Sequence, residues 1–166
     1  MENCKNYAFE VGPIRPPSEA ASLLLRVTRN CPWNKCKFCG VYRGTKFSIR
    51  PKEHVIKDID SVKRWTDLLK AAEHVDVQEG RTIINNFKNE LREEQSWAYS
   101  SAVNWYRNGM RSIFLQDSNS LVIKPDDLVD ILVHIKKQFP EAERVTSYAR
   151  SETVARISDE DMKRIA

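Results

Sequence analysis

The chain has 166 residues, of which 41% are hydrophobic and 30% are charged, and this length is sufficient for one ordinary globular core. Its formal net charge of +4, interpreted as spread along the sequence without a basic block, gives no case for nucleic acid as a partner. No apolar run of about 18 residues occurs, so no membrane span is predicted. The first ten residues do not resemble a signal peptide, and four cysteines without a secretion signal indicate the reducing cytoplasm.

Residues 1–17 form an extended N-terminal segment without hydrophobic periodicity. Pro13, Pro16 and Pro17 favour this conformation because each proline restricts its own backbone and that of the preceding residue. A domain over residues 18–166 follows. Its first element is the nearly apolar run from Ser22 to Val27, which is typical of a parallel strand covered on both faces.

Three cysteines come directly after this strand, with four residues between Cys31 and Cys36 and two between Cys36 and Cys39. A strand that ends in a thiol-rich loop places soft ligands at the carboxyl end of a sheet, where α/β proteins bind their ligands. Soft thiolates select iron–sulfur clusters, zinc or Cu(I) over hard cations. Three ligands leave the fourth position of a metal site open.

The ligand types alone leave three interpretations open: an iron–sulfur cluster, zinc, or no metal. A structural zinc site usually has a second ligand pair, and none follows these cysteines. The remaining cysteine, Cys4, lies far upstream in a segment without a strand signal. Ordinary core cysteines are disfavoured by the neighbouring Lys35 and Lys37.

Helices and strands alternate in the rest of the chain. A helical insertion over residues 51–109 begins at Pro51, has apolar residues at helical spacing to about residue 72 and from about 79 to 108, and ends at Gly109. Strands follow at Ser112–Leu115 and Val145–Tyr148, a helix begins at Pro125 between them, and Ser158 caps a last helix. The aromatic residues near the end of the insertion are interpreted as core or partner-facing packing residues: Trp97, Tyr99, Trp105 and Tyr106. The three histidines are interpreted as solvated surface residues without a metal: His54, His74 and His134.

This alternation predicts an α/β fold with about three parallel strand–helix units and right-handed crossovers. The long helical insertion separates strands one and two. Each strand then ends in a polar loop, which places donors and carboxylates at one edge of the sheet.

The first strand and the segment after it resemble the cluster loop of radical S-adenosylmethionine (radical SAM) enzymes. The segment, residues 28–48, contains Thr28-Arg29-Asn30-Cys31 and Cys36-Lys37-Phe38-Cys39-Gly40. The resemblance runs from about Arg15 to the last residue. The family usually has three residues between its first two cysteines, and the fourth residue here lengthens the Pro32–Lys35 turn. The family's glycine-rich motif after the second strand is replaced by Gln116-Asp117-Ser118.

The resemblance implies part of a (β/α) barrel and a [4Fe-4S] cluster held by Cys31, Cys36 and Cys39. It also implies S-adenosyl-L-methionine as the second cofactor, bound to the iron that no cysteine holds. An electron passed into the cluster would cleave this cofactor to methionine and a 5′-deoxyadenosyl radical that acts on an unknown substrate. A flavodoxin- or ferredoxin-like protein is the implied electron donor.

The resemblance also assigns cofactor contacts. Phe38 matches the family position beside the adenine. Asp117 would accept a hydrogen bond from the methionine ammonium, the alternative being a solvated loop residue. Ser147 and Arg150 lie at the end of the third strand, where the guanidinium would pair with the cofactor carboxylate or form a surface salt bridge.

The family barrel has about six strand–helix units, and this sequence predicts three. We therefore expect an open sheet edge that allows self-association, and weak cofactor binding with little turnover. The alternatives are a truncated inactive fragment and a non-enzymatic zinc- or iron–sulfur-binding module.

Overall fold

The computed structural model describes residues 7–89 and 93–166. Its strands are β1 (Leu23–Arg26), β2 (Thr28–Arg29), β3 (Ser48–Ile49), β4 (Ser112–Gln116) and β5 (Arg144–Ser147). Its helices are α1 (Lys52–Glu73), α2 (Val77–Asn89), α3 (Glu93–Arg107), α4 (Pro125–Gln138), α5 (Ser151–Val154) and α6 (Asp159–Ile165), with 3-10 turns at Pro17–Glu19 and Ser120–Val122. The predicted α/β class is confirmed.

The main sheet has three parallel strands in the order β1-β4-β5. Between β1 and β4, Leu23 pairs with Ile113 and Arg26 pairs with Gln116. Between β4 and β5, Leu115 pairs with Ser147. The three predicted strands are therefore confirmed as parallel neighbours. In the described part of the chain β1 and β5 are the two edges of this sheet.

Because side chains alternate along each strand, one face of the sheet carries the strand residues of the hydrophobic core. Helices α1, α3 and α4 pack on this core. Trp105 is fully buried in this core and packs edge-on against Phe139, with ring centroids 4.8 Å apart. Burying large apolar side chains in this way supplies most of the stability of such a domain. The buried core residues from the strands, the residue between β1 and β2, and the three helices are Leu23, Leu25, Ile113 and Leu115; Val27; Val55, Ile59, Val62 and Trp65; Ala98, Ala102 and Trp105; Leu128, Ile131 and Ile135.

The N-terminal segment crosses the sheet near the end of β4. The Gln116 side chain accepts a hydrogen bond from the Gly12 amide at 2.8 Å, and its Nε2 donates to the carbonyl oxygens of Gly12 at 3.2 Å and Ile14 at 2.8 Å. Gln116 is fully buried, so these bonds satisfy a side chain that would otherwise be costly to bury. Residues around Gly12 are thereby fixed to the carboxyl end of the sheet.

The helical insertion differs in detail from the prediction. The predicted single stretch from 79 to 108 consists of two helices, α2 and α3, with residues 90–92 outside the described residues. Trp105 is buried and Tyr99 packs against Trp65, as the packing interpretation expects, whereas Trp97 is 62% exposed. Ser158 caps α6 as predicted, since its hydroxyl accepts a hydrogen bond from the Asp161 amide.

The expectation of a solvated surface position is wrong for His54. This side chain is buried in the first turn of α1, and its ring lies edge-on to Tyr7, at 5.7 Å between centroids. The N-terminal segment, whose position local periodicity does not predict, lies close enough to cover it. Within residues 7–89 and 93–166, none of the helices has the length and apolar character needed to cross a membrane.

Candidate metal and cofactor site

The cysteine loop, residues 30–47, begins and ends at a two-stranded ribbon. β2 pairs antiparallel with β3, with Thr28 opposite Ile49 and Arg29 opposite Ser48. β2 follows β1 after a single residue, so the ribbon extends the carboxyl end of the main sheet. The loop is therefore closed at its base and lies at the sheet edge that the sequence predicts.

Two asparagine side chains fold the loop back on itself. Asn30 donates from Nδ2 to the carbonyl oxygen of Lys46 at 2.6 Å, and Asn34 donates from Nδ2 to that of Thr45 at 2.9 Å. Both asparagines have positive φ, 66° and 47°, a region that asparagine tolerates better than most residues. The turn between the first two cysteines thus has a definite conformation.

The three cysteines of the loop, Cys31, Cys36 and Cys39, are half-buried free thiols. The Asn34 amide donates to Cys31 Sγ at 3.4 Å. Burial raises the pKa of the Cys31 thiol, but the amide bonds, the Ser118 hydroxyl and the charge of Arg150 outweigh burial, so the pKa is lowered overall. A lowered pKa favours the thiolate, which is the metal-binding form.

The thiols share one loop, but their side chains do not converge on a point. Among the residues that the structure describes, no three Cys, His, Asp or Glu side chains are arranged to hold a metal ion. The donor set itself, three accessible thiols on one loop, suits a soft metal or an iron–sulfur cluster. The cysteine loop therefore matches such a metal site in the type of its ligands and not in their arrangement. Cys4 lies outside the described residues.

Asp117 is fully buried directly after β4. Its carboxylate accepts hydrogen bonds from the Tyr42 hydroxyl, from Arg26 Nε at 3.2 Å and Nη2 at 2.9 Å, and from the Asn30 amide at 3.2 Å. The interpretation of Asp117 as a solvated loop residue is wrong, because the cysteine loop covers it. The carboxylate has donors from both arms of that loop and from β1.

Tyr42 is the donor from the far arm of the loop. Burial, followed by the hydrogen bond and the negative charge of Asp117, raises the pKa of the Tyr42 hydroxyl well above its usual range. The hydroxyl therefore stays protonated and donates at any physiological pH. Sequence reasoning did not single out Tyr42, because an isolated tyrosine in a glycine-containing loop carries no pattern.

A network of ion pairs lies beside this carboxylate. Glu10 accepts two hydrogen bonds from Arg29 Nε, at 3.1 and 2.8 Å, and lies 3.4 Å from Arg26 Nη1 and 3.3 Å from Arg50 Nε. Arg50 and Asp58 form a pair with fully buried side chains. Arginine suits such sites because its planar group serves several acceptors at once. The network joins the N-terminal segment, β1, β2 and α1.

Two predicted cofactor contacts, Ser147 and Arg150, lie at the end of β5 and just after it. The Arg150 guanidinium lies 4.5 Å from the centre of the Trp33 ring and 3.2 Å from Glu152 Oε2. It thus has both a salt bridge and a cation–π contact that links the loop after β5 to the cysteine loop. Ser147 is half-buried and pairs with Leu115 in the sheet. Phe38 is 92% exposed at the surface of the loop.

The structure therefore brings Cys31, Asp117 and Arg150 to one edge of the sheet, while Phe38 projects into solvent. The sequence missed three residues that fix the loop: Tyr42 on its far arm, Glu10 in the N-terminal segment and Arg26 on β1. Comparison of the chain with family models, with curated proteins and with solved structures found no match.

Proposed function

We propose that this chain is a radical SAM iron–sulfur protein whose three parallel strands form part of a (β/α) barrel. The observation that carries the proposal is the position of the cysteine loop. Three thiols lie on one loop at the carboxyl end of a parallel sheet, where α/β proteins bind cofactors. The residues that would hold a [4Fe-4S] cluster are Cys31, Cys36 and Cys39.

When bound, such a cluster supplies the electron that cleaves S-adenosyl-L-methionine to methionine and a 5′-deoxyadenosyl radical. The chain supplies the ligands, and it keeps them at the sheet edge. Asp117 holds the two arms of the loop, and the Trp33–Arg150 contact holds its tip toward β5. The ammonium of the cofactor would reach Asp117 only by competing with the donors that already surround this carboxylate.

Phe38, with its exposed ring, is available to pack on the adenine of the cofactor. Arg150 is half-buried, and its guanidinium could pair with the cofactor carboxylate if the bond to Glu152 is exchanged. These assignments follow the resemblance of the sequence. They make Phe38→Ala a variant that weakens cofactor binding without removing a cluster ligand.

The competing function is a non-enzymatic module that holds zinc through the same thiols and a fourth ligand. Anaerobic reconstitution with iron and sulfide separates the two. The proposal requires a [4Fe-4S] chromophore whose electron paramagnetic resonance spectrum, after reduction, changes when S-adenosyl-L-methionine is added. The Cys31→Ala/Cys36→Ala/Cys39→Ala variant is the matched control and should assemble no cluster. Stoichiometric zinc binding with no cluster would instead identify the chain as a zinc module.

A further inference from the structure

The three thiols of the cysteine loop fall into two groups. The Asn34 amide donates to Cys31 Sγ at 3.4 Å, and the Ser118 hydroxyl, which follows β4, is a second neighbour of this thiol. Cys31 therefore has its contacts in its own turn and at the sheet edge. Cys36 and Cys39 lie further along the loop, on a separate turn.

Cys36 and Cys39 are the two ends of that turn. The Cys39 amide donates to the carbonyl oxygen of Cys36 at 3.3 Å, which is the hydrogen bond of a four-residue turn. The Cα atoms at the ends of such a turn lie within about 7 Å of each other, and a disulfide usually joins Cα atoms about 4.4–6.8 Å apart. The turn therefore has the span that a disulfide between its end residues needs.

The turn is held in place and lies at the surface. Arg43 Nη2 donates at 3.0 Å to the carbonyl oxygen of Lys37, one of the two central residues of the turn. Lys37 is exposed, and so is the other central residue, Phe38. The thiols of Cys36 and Cys39 are half-buried, so a small molecule in solution can reach both.

The backbone thus favours a pair of thiols over a set of three in the chain without metal. Across residues 7–89 and 93–166, no group of three Cys, His, Asp or Glu side chains is arranged to hold a metal ion. One hydrogen-bonded turn joins Cys36 and Cys39, whereas Cys31 bonds to Asn34. Before a metal binds, Cys36 and Cys39 are the two thiols best placed to react with each other.

We propose that Cys36 and Cys39 are a thiol–disulfide pair that a small disulfide, such as glutathione disulfide, oxidises. One thiolate attacks a sulfur of glutathione disulfide and displaces one glutathione, and the other thiolate then attacks the mixed disulfide and displaces the second. The two cysteines lose two electrons and two protons, and glutathione disulfide gains them as two molecules of glutathione. A disulfide on an exposed turn is of the kind that reduction readily reverses.

Oxidation of this pair removes two of the three thiols that a soft metal would bind. The oxidised chain should therefore bind such a metal weakly until the disulfide is reduced. The inferred loss of an iron–sulfur cluster on oxidation rests on the proposed function, whereas the disulfide itself does not.

The disulfide is tested on the full chain without metal. The reduced chain is incubated anaerobically with mixtures of glutathione and glutathione disulfide, the remaining thiols are alkylated, and tryptic peptides are identified by mass spectrometry. Trypsin places each of the four cysteines on its own peptide: 1–5, 30–35, 36–37 and 38–43. We expect peptide 36–37 joined to peptide 38–43, with Cys31 alkylated. Disulfides formed mainly by Cys31, by Cys4 or between chains would overturn the assignment.

Two comparisons of variants test the pair and the turn. Cys39→Ser should stop at a mixed disulfide of Cys36 with glutathione, while Cys31→Ser should still form the Cys36–Cys39 disulfide. Phe38→Pro should slow formation of the disulfide at least about fivefold relative to Phe38→Ala, because proline disfavours the turn conformation of the residue before it. A Cys31→Ser chain without the disulfide, or equal rates for the two Phe38 variants, would overturn the proposal.

Metal binding is measured with Cd²⁺ as the probe, from its thiolate-to-metal charge-transfer absorption. The oxidised chain should bind Cd²⁺ at least about tenfold more weakly than the reduced chain, and reduction with a phosphine should restore the affinity. Equal affinities of the oxidised and reduced chains would overturn the effect of the disulfide on the metal site. A reduced chain that binds Cd²⁺ but assembles no iron–sulfur cluster would overturn the proposed function, and the peptide measurement would still decide the disulfide.

Discussion

The Tyr42 hydroxyl donates a hydrogen bond to the Asp117 carboxylate, and this bond joins the far arm of the cysteine loop to the end of β4. The Asn30 amide donates to the same carboxylate from the near arm, at 3.2 Å. One buried carboxylate thus fixes both arms of a loop that is otherwise largely exposed. These two hydrogen bonds hold the cysteine loop, and with it the thiols, at the carboxyl end of the sheet.

Tyr42→Phe removes a hydrogen bond to a buried carboxylate without changing the shape of the ring. We expect a loss of about 1.5–3 kcal/mol in the free energy of unfolding, the usual range for a bond to a charged group. Urea denaturation measures this loss, and alkylation of Cys31 should become faster as the loop loosens. Tyr148→Phe is the control, since the Tyr148 ring packs on Phe114 and its hydroxyl has no described partner. Equal stability of the two variants would contradict the anchoring role of Tyr42.

Gly12→Ala tests the close approach of the N-terminal segment to Asp117. A Cβ at residue 12 would lie 2.8 Å from Asp117 Oδ1, closer than two such atoms can pack. We expect a loss of about 1–3 kcal/mol in the free energy of unfolding, because the segment or the carboxylate must move. Gly40→Ala is the matched control, since a Cβ there meets nothing within 4 Å. A Gly12→Ala chain as stable as the Gly40→Ala chain would show that the segment is not held against Asp117.

Asp58 gives the stability a pH dependence. Burial, only partly offset by Arg50, raises the pKa of this carboxyl from 3.8 to about 6. The folded chain then binds this proton more tightly than the unfolded chain, so the contribution of Asp58 to stability is complete below pH 4 and is lost as the pH rises through 6. The unfolding free energy of the wild type relative to Asp58→Asn should therefore fall by up to about 3 kcal/mol between pH 4 and 7. A relative stability that rises over this range would mean that Arg50 dominates over burial.

Each of Cys31→Ala, Cys36→Ala and Cys39→Ala should lose the reconstituted cluster. A cluster held by three protein ligands has no spare thiol, so the loss of one cysteine leaves one iron without its protein ligand and destabilises the bound cluster. Iron per chain and the visible absorption of the reconstituted protein measure the loss. Cys4→Ala is the control and should retain the iron. Retention of iron by Cys31→Ala together with its loss in Cys4→Ala would refute the ligand assignment.

The exposed edge strand β5 predicts concentration-dependent self-association. Val145 lies on this strand and is 37% exposed, and an unpaired edge can pair with another chain. Val145→Lys should shift the sedimentation profile toward the monomer, since a charge on an edge strand disfavours such pairing. Val133→Lys makes the same change on α4, where Val133 is 63% exposed, and should leave the profile unchanged. Equal profiles for wild type and Val145→Lys would exclude this edge as the contact.

The sequence by itself determined the three parallel strands of the main sheet and the placement of three thiols after the first of them. Hydrophobic periodicity and proline positions are local signals, and the run Leu23–Val27 and the cap at Ser158 therefore suffice to predict their elements. Only the tertiary structure decided that Asp117 is a buried anchor and that His54 is covered. Tyr42, Arg26 and Gly12 meet Asp117 across 75 to 105 positions of the chain, a proximity that no local pattern encodes because it depends on how the sheet, the loop and the N-terminal segment pack together.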